Sequence, residues 1–202
     1  MKAGEMTKAE KTRHFIVEQA APIFNTKGYA GTSLADLTTA TGLTKGSIYG
    51  NFESKEEVAT EVYEYNISRF NERLDAYINA EHTASGKILA ITKYYRENWK
   101  KMAERGGCPI LNASIEADDN LPFLKKNVQQ SIKKWAAKMS IIIEMGKQNG
   151  EFKKDILPQE YAYAIITLIE GSIMLFKIEH NVKHLYAGMD RIVKMLNEEM
   201  TA

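Results

Sequence analysis

A single cysteine, Cys108, stands in 202 residues, so no intrachain disulfide can form and the fold must rest on its apolar core. Neither sign of charge dominates: 27 Lys and Arg face 26 Asp and Glu, a formal charge of +1. A chain this near neutrality does not coat nucleic acid indiscriminately, and any DNA binding must come from a local patch. No stretch approaches the roughly 18 consecutive apolar residues of a membrane span, and Met1-Lys2-Ala3-Gly4-Glu5 lacks an apolar signal core. The expectation is a cytoplasmic chain with no membrane partner. Strand-like alternation, internal repeats and low-complexity linkers are missing too. So are the HExxH, phosphate-loop and Ser/Cys-His patterns of common enzymes. No catalytic residue, no metal and no cofactor is expected.

What is present is helical periodicity. Ile16, Ala20, Ile23 and Phe24 follow one helix face, Gly28 stops it, and Pro22 within it predicts a bend. Ser33 with Asp36 reads as a capping box opening a short second helix with Leu34 and Leu37 inward, and Gly42 ends it. Thr44 caps a third helix through Lys45, Ile48, Tyr49 and Phe52. Helix, tight turn, helix is a helix-turn-helix. Ser54 and Glu57 form another capping box before a long helix carrying Tyr63, Ile67, Phe70, Leu74 and Ile78. A polar break from Glu81 to Gly86 precedes a fifth helix ended by Gly106-Gly107. Pro109 opens a sixth, closed by Asp118-Asp119-Asn120. The seventh steps from Leu121 through Leu124, Val128, Ile132, Trp135, Met139 and Ile142 to Asn149-Gly150. An eighth begins near Pro158, and a ninth runs from Leu185 to Met200 after a polar link at 180–183. The fold class is all-α, about nine helices. Residues 1–54 read as a three-helix DNA-binding subdomain and 55–202 as a larger helical ligand-binding and dimerisation domain.

The stretches Gly28-Tyr29-Ala30-Gly31-Thr32-Ser33-Leu34-Ala35-Asp36-Leu37, Thr41-Gly42-Leu43-Thr44-Lys45-Gly46-Ser47-Ile48-Tyr49 and Phe52-Glu53-Ser54-Lys55-Glu56-Glu57 resemble the DNA-binding signature of the tetracycline-repressor (TetR) family. Gly50-Asn51 departs from it, standing where that family often has an aromatic or histidine pair. The resemblance implies a ligand-responsive regulator, most simply a repressor, that binds a palindromic operator in double-stranded DNA as a homodimer and is released by a small effector. It also implies a dimer through the last two helices.

The residues point the same way. A recognition helix brings its first turn into the major groove, where Lys45-Gly46-Ser47 offers a cation, close backbone approach and a hydroxyl, with Tyr49 a turn further. Thr32, Ser33, Thr44, Asn51 and Lys55 complete the expected DNA-binding set, the helix starts supplying hydroxyls, N–H groups and a cation for phosphates. Capping, packing and solvation explain the same residues singly; the ordered combination favours DNA.

Beyond the helix-turn-helix, Tyr95, Trp99, Trp135, Met139 and Phe176 are candidates for lining an effector cavity, against a plain core. Gly171 in mid-helix implies a close approach, and Gly171-Ser172 suits a dimer contact or a buried intrachain one. Cys108, ahead of a short helix, is a candidate redox or electrophile sensor, against a buried small apolar residue. The alternative function is an all-α enzyme or metal-binding protein, for which Glu179, His180 and His184 would supply half a site.

Overall fold

The computed structural model describes residues 6–202, so the stretch Met1 to Glu5, read above for an export signal, lies outside the described residues. Among the described residues nine α-helices follow one another: α1 (Lys8–Lys27), α2 (Leu34–Thr41), α3 (Lys45–Tyr49), α4 (Lys55–Asn79), α5 (Ala84–Glu104), α6 (Pro109–Asp119), α7 (Pro122–Gln148), α8 (Pro158–Glu179) and α9 (Val182–Met195), closed by a π-helical turn, Leu196–Met200.

The chain divides into two compact units. The first holds the described residues up to Arg69 together with Pro109–Val128; the second holds Phe70–Cys108 and Gln129–Ala202. The compact boundary thus falls within α4, fifteen residues beyond residue 54, and α6 joins the first unit although it lies far along the sequence. α4 and α7 contribute residues to both.

In the first unit α1 begins at Thr7, whose side chain accepts the Glu10 N–H while the Glu10 carboxylate accepts the Thr7 N–H. α1 continues through Pro22 without interruption. Ile16, Ala20 and Phe24 on α1, Leu37 on α2, Ile48 on α3 and Val58 and Val62 on α4 are fully buried. Burial of these side chains, each worth about 1.5–3 kcal/mol for the larger ones, holds the small unit together.

In the second unit α9 packs on α8 and α5. At Gly188 α9 lies close on α8: a Cβ there would lie 2.6 Å from that of Ser172 and 3.2 Å from the Leu168 carbonyl oxygen. The start of α5 is fixed by Glu151, whose two carboxylate oxygens each accept an N–H, from Ala84 and Ser85, at 2.9 Å. These are first-turn N–H groups that a helix cannot satisfy internally. α5 therefore opens at Ala84, inside the expected polar break.

One expectation about hydropathy is corrected. α8 is long and apolar enough to cross a bilayer by length and composition, with a mean hydropathy of 1.5 over 18 residues, although only 39% of that window is buried within the chain. Its exposed side carries Met174, Leu175 and Ile178, the last 78% exposed.

Candidate nucleic-acid interface

The turn between α2 and α3 is set by local bonds. The Ser33 side chain accepts the Asp36 N–H and Asp36 accepts the Ser33 N–H, a complete capping box. Gly42 closes α2 at φ 67, the left-handed region, and donates its N–H to the Thr38 carbonyl at 2.9 Å. A Cβ would resist that conformation. Thr44 then caps α3 by accepting the Ser47 N–H at 3.2 Å. Ile48 plugs α3 into the core, which turns Thr44, Lys45, Gly46 and Tyr49 outward. The Lys45 ammonium lies 5.9 Å from the Tyr49 ring centre, so a cation and an aromatic edge stand together on the exposed face. Ser47 is half-buried, and Asn51 donates its amide to the Ser47 carbonyl at 2.8 Å.

Two of the expected DNA-binding side chains point elsewhere. Thr32 is fully buried, and its hydroxyl donates to the Gly28 carbonyl at 2.6 Å. The Lys55 ammonium donates to the carbonyls of Thr32 at 2.7 Å and of Tyr29 and Ala30 at 3.4 Å. Both are fasteners of the corner between α1 and α2. This placement has a simple cause: a loop that leaves carbonyls without helical partners draws the nearest donors inward. Ser54 accepts the Glu57 N–H at 3.1 Å as expected, but Glu57 accepts the Glu53 N–H, not that of Ser54.

Three further residues hold this unit together and carry no local sequence signal. Arg13 on α1 pairs with Glu57 and Glu61, donates to the Asn51 carbonyl and stacks its guanidinium 4.2 Å from the Phe52 ring centre. The same arginine holds the Glu57 carboxyl below the usual carboxylate range. It therefore fastens the exit of α3 to the first turns of α4. Glu116 on α6 accepts the N–H groups of Tyr29 at 2.9 Å and Ala30 at 2.7 Å, and Asn112 donates to the Asn25 carbonyl at 3.0 Å. Gly28, at φ 91, is needed here, since a Cβ would lie 2.8 Å from Glu116 Oε1.

The remaining candidates lie in the second unit. Phe70 meets Tyr94 and Trp135 edge-on at 6.1 and 6.4 Å, and Tyr94 meets Tyr95 at 5.3 Å. Trp99 and Phe176 form a separate pair at 5.8 Å. Tyr95, Trp135, Met139 and Phe176 are buried and Trp99 is half-buried. An open groove of about 640 Å³ on α7 and the start of α8, bounded by Lys133, Ile141 and Tyr163, includes none of the five.

Gly171 has no atom of its own chain within 4 Å of a Cβ position. Within the chain a close approach occurs instead at Gly188, and Ser172 is buried beneath it, 5% exposed, so Ser172 makes an intrachain contact. Cys108 is 1% exposed and its thiol donates to Glu170 Oε1 at 3.0 Å. His184 Nε2 lies 2.7 Å from Glu179 on the surface, and among the described residues no three His, Cys, Asp or Glu side chains gather into a metal-holding group.

A small α-helical head with an outward-facing second helix of a helix-turn-helix, followed by a larger all-helical unit, defines the chain as a DNA-binding regulator by architecture. Residues 16–62 match the family described as bacterial regulatory proteins, tetR family, and residues 84–192 match the tetracyclin repressor-like C-terminal domain. A TetR-family regulator from Cytophaga hutchinsonii is 39% identical, with 96% of this chain and 97% of that one covered and a TM-score of 0.92. A TetR regulator from Chloroflexus aurantiacus is 33% identical over 97% and 99% of the two chains, with a TM-score of 0.91. The HTH-type transcriptional repressor DhaR of a Mycobacterium strain is 25% identical, 84% of each chain being covered. The chain belongs to the TetR family of helix-turn-helix transcriptional regulators, a non-enzymatic family.

Proposed function

We propose that the protein is a cytoplasmic repressor that binds a palindromic operator as a homodimer and leaves it when a small, largely apolar effector binds in the domain that follows the head. The exposed first turn of α3, with Thr44, Lys45, Gly46 and Tyr49 outward and Ile48 anchored inward, carries the reading of DNA contact. One such helix reads only a few base pairs, so specificity requires two copies and a two-fold DNA site. Ser33, exposed at the start of α2, and Asn51, half-buried after α3, are the further candidates for contact.

The dimer surface follows from what α8 leaves uncovered. Met174, Leu175 and Ile178 are exposed, and Gly171 opens the same helix to close approach by another chain. Release by an effector requires only that the ligand favour the arrangement that does not fit DNA; about 1.4 kcal/mol of coupling lowers operator affinity tenfold. α4 begins six residues after α3 ends and runs unbroken for 25 residues, which makes it the simplest lever.

The experiment is selection of operator sequences from a random DNA library with the full chain, followed by anisotropy titration. Two-fold symmetric sites and a stoichiometry of two chains per site are expected. Asymmetric sites bound by single chains would overturn the proposal.

A further inference from the structure

Three buried side-chain polar atoms of the second unit meet no hydrogen-bond partner: Nε of Arg73 on α4, the hydroxyl of Tyr95 on α5 and Oε2 of Glu170 on α8, of which the last two are drawn together by shared neighbours. Tyr95 is 1% exposed. The other oxygen of Glu170 accepts the Cys108 thiol at 3.0 Å. The phenol of Tyr95 lies close enough to Cys108 and Glu170 to feel charge on both, and burial together with those neighbours pushes it up. Cys108, after α5, and Glu170 on α8 thus meet in the interior, and Tyr95 on α5 lies near enough to both for their charge to act on its phenol. A buried hydrogen-bonding atom without a partner destabilises a fold, and one that persists calls for an explanation such as strain, a bound water or ion, or a functional role.

The chemistry of the unpaired atoms limits what they can take. A carboxylate oxygen accepts, and a phenol oxygen accepts as well as donates. Lys177, the cation on the same helix, donates to the Gly106 carbonyl at 2.6 Å. The partner that suits Oε2 is therefore a donor, and next to a carboxylate in an apolar setting a charged donor binds best. Trp99, one turn beyond Tyr95, pairs edge-on with Phe176, and aromatic faces favour an organic cation. Burial pushes the Glu170 carboxyl up to about 7, so it takes up and releases a proton near neutrality.

We propose that Tyr95, Glu170 and Cys108 form the polar anchor of the effector site, and that the effector is a protonated amine carrying an apolar or aromatic body. The proposal rests on the effector reading above and specifies its chemistry. The amine N–H donates to Glu170 Oε2, the Tyr95 hydroxyl completes the shell, and the body packs against Trp99 and Phe176. Binding holds the carboxyl ionised. The titratable groups facing it are Cys108 and Tyr95, with Lys177 two turns along α8.

The test uses the full chain and matched probes that share a body and differ in head group: phenethylamine, 2-phenylethanol and 3-phenylpropionate, and the same three heads on naphthalene. Tryptophan fluorescence and release of the selected operator are the readouts. The amines are expected to bind at least tenfold more tightly than the alcohols of the same body, and Glu170→Gln to abolish that preference. Tyr95→Phe is expected to weaken amine binding severalfold while melting at or above the parent temperature, because it removes an unpaired buried hydroxyl; a purely structural Tyr95 would lower it. Equal binding of amines and alcohols, or an unchanged preference in Glu170→Gln, overturns the proposal. Operator release by the alcohols or carboxylates, unaffected by Glu170→Gln, overturns it while the effector reading stands. Insensitivity of both tryptophans and operator to every probe counts against both.

Discussion

Arg13 and Glu170 are both ionisable residues drawn partly or wholly out of water, one in each compact unit, and they differ in what meets them. Arg13 ends on two carboxylates, a backbone carbonyl and an aromatic face. Glu170 has a thiol on one oxygen and nothing on the other. The same contrast runs through their surroundings. In the first unit Lys55, Glu116 and Thr32 each close on backbone groups of the corner before α2, so the reading helix is held by bonds that leave it one position. Each unit keeps a buried phenol without a partner, Tyr29 in the first and Tyr95 in the second, but among the described residues the unpaired buried carboxylate oxygen belongs to the second, where an apolar helix face also stays uncovered. A reading head needs geometry fixed in advance, whereas a responsive domain needs surface and polarity left for something else to satisfy.

The sharpest way to break this contrast is to titrate Glu170. Its folded value, about 7, lies above the 4.5 of an exposed glutamate, so the folded chain binds the extra proton. Its contribution to stability is complete below the unfolded value and is lost as pH rises through 7. Unfolding free energy should fall by roughly 2–3 kcal/mol from pH 5 to pH 8 relative to Glu170→Gln, measured by urea denaturation of both proteins. Parallel pH profiles would remove the buried carboxyl from the comparison.

Next in size is the head's own fastening. Arg13→Ala frees Glu57, Glu61 and the Asn51 carbonyl at once. We expect a loss of about 2 kcal/mol in stability and at least tenfold in operator affinity, and Arg13→Lys should not restore either because a point charge cannot span the fork. Denaturation and anisotropy on the same preparations decide it; wild-type affinity in Arg13→Ala would show that α3 does not depend on this clamp.

Lys45→Ala and Tyr49→Ala should each weaken operator binding by about 1–3 kcal/mol with unchanged melting temperature, since both side chains are exposed. Lys55→Ala should do the reverse: about 1 kcal/mol of stability lost with the salt slope of DNA binding intact. A slope reduced by about one unit would return Lys55 to the phosphates. The smallest effect concerns Gly171. Alanine there favours the helix by up to about 1 kcal/mol and meets no atom of its own chain. If sedimentation shows a weaker dimer in Gly171→Ala despite a higher helix content, the uncovered side of α8 is the contact; an unchanged dimer would place the interface elsewhere.

What the sequence by itself determined is whatever depends on neighbours within about four residues. The Ser33–Asp36 box, the left-handed Gly42, the Thr44 cap, Gly106 and Gly107 at φ 88 and 93, and Gly150 at φ 76 all fall where composition and spacing placed them. So does the signature from Gly28 to Glu57 that identifies the family. Tertiary structure decided which way chemically equivalent groups face. A hydroxyl at Thr32 or an ammonium at Lys55 has the same donor capacity toward a phosphate as toward a carbonyl, and only the packed corner of α1 and α2 fixes the choice. Glu116 meets Tyr29 and Ala30 across 87 and 86 positions, and Cys108 meets Glu170 across 62. No periodicity encodes such pairs. Gly171 and Gly188 look alike in sequence, two glycines in two late helices, yet only Gly188 sits where the helices touch, because contact depends on the rotation of α9 against α8 and not on either helix alone.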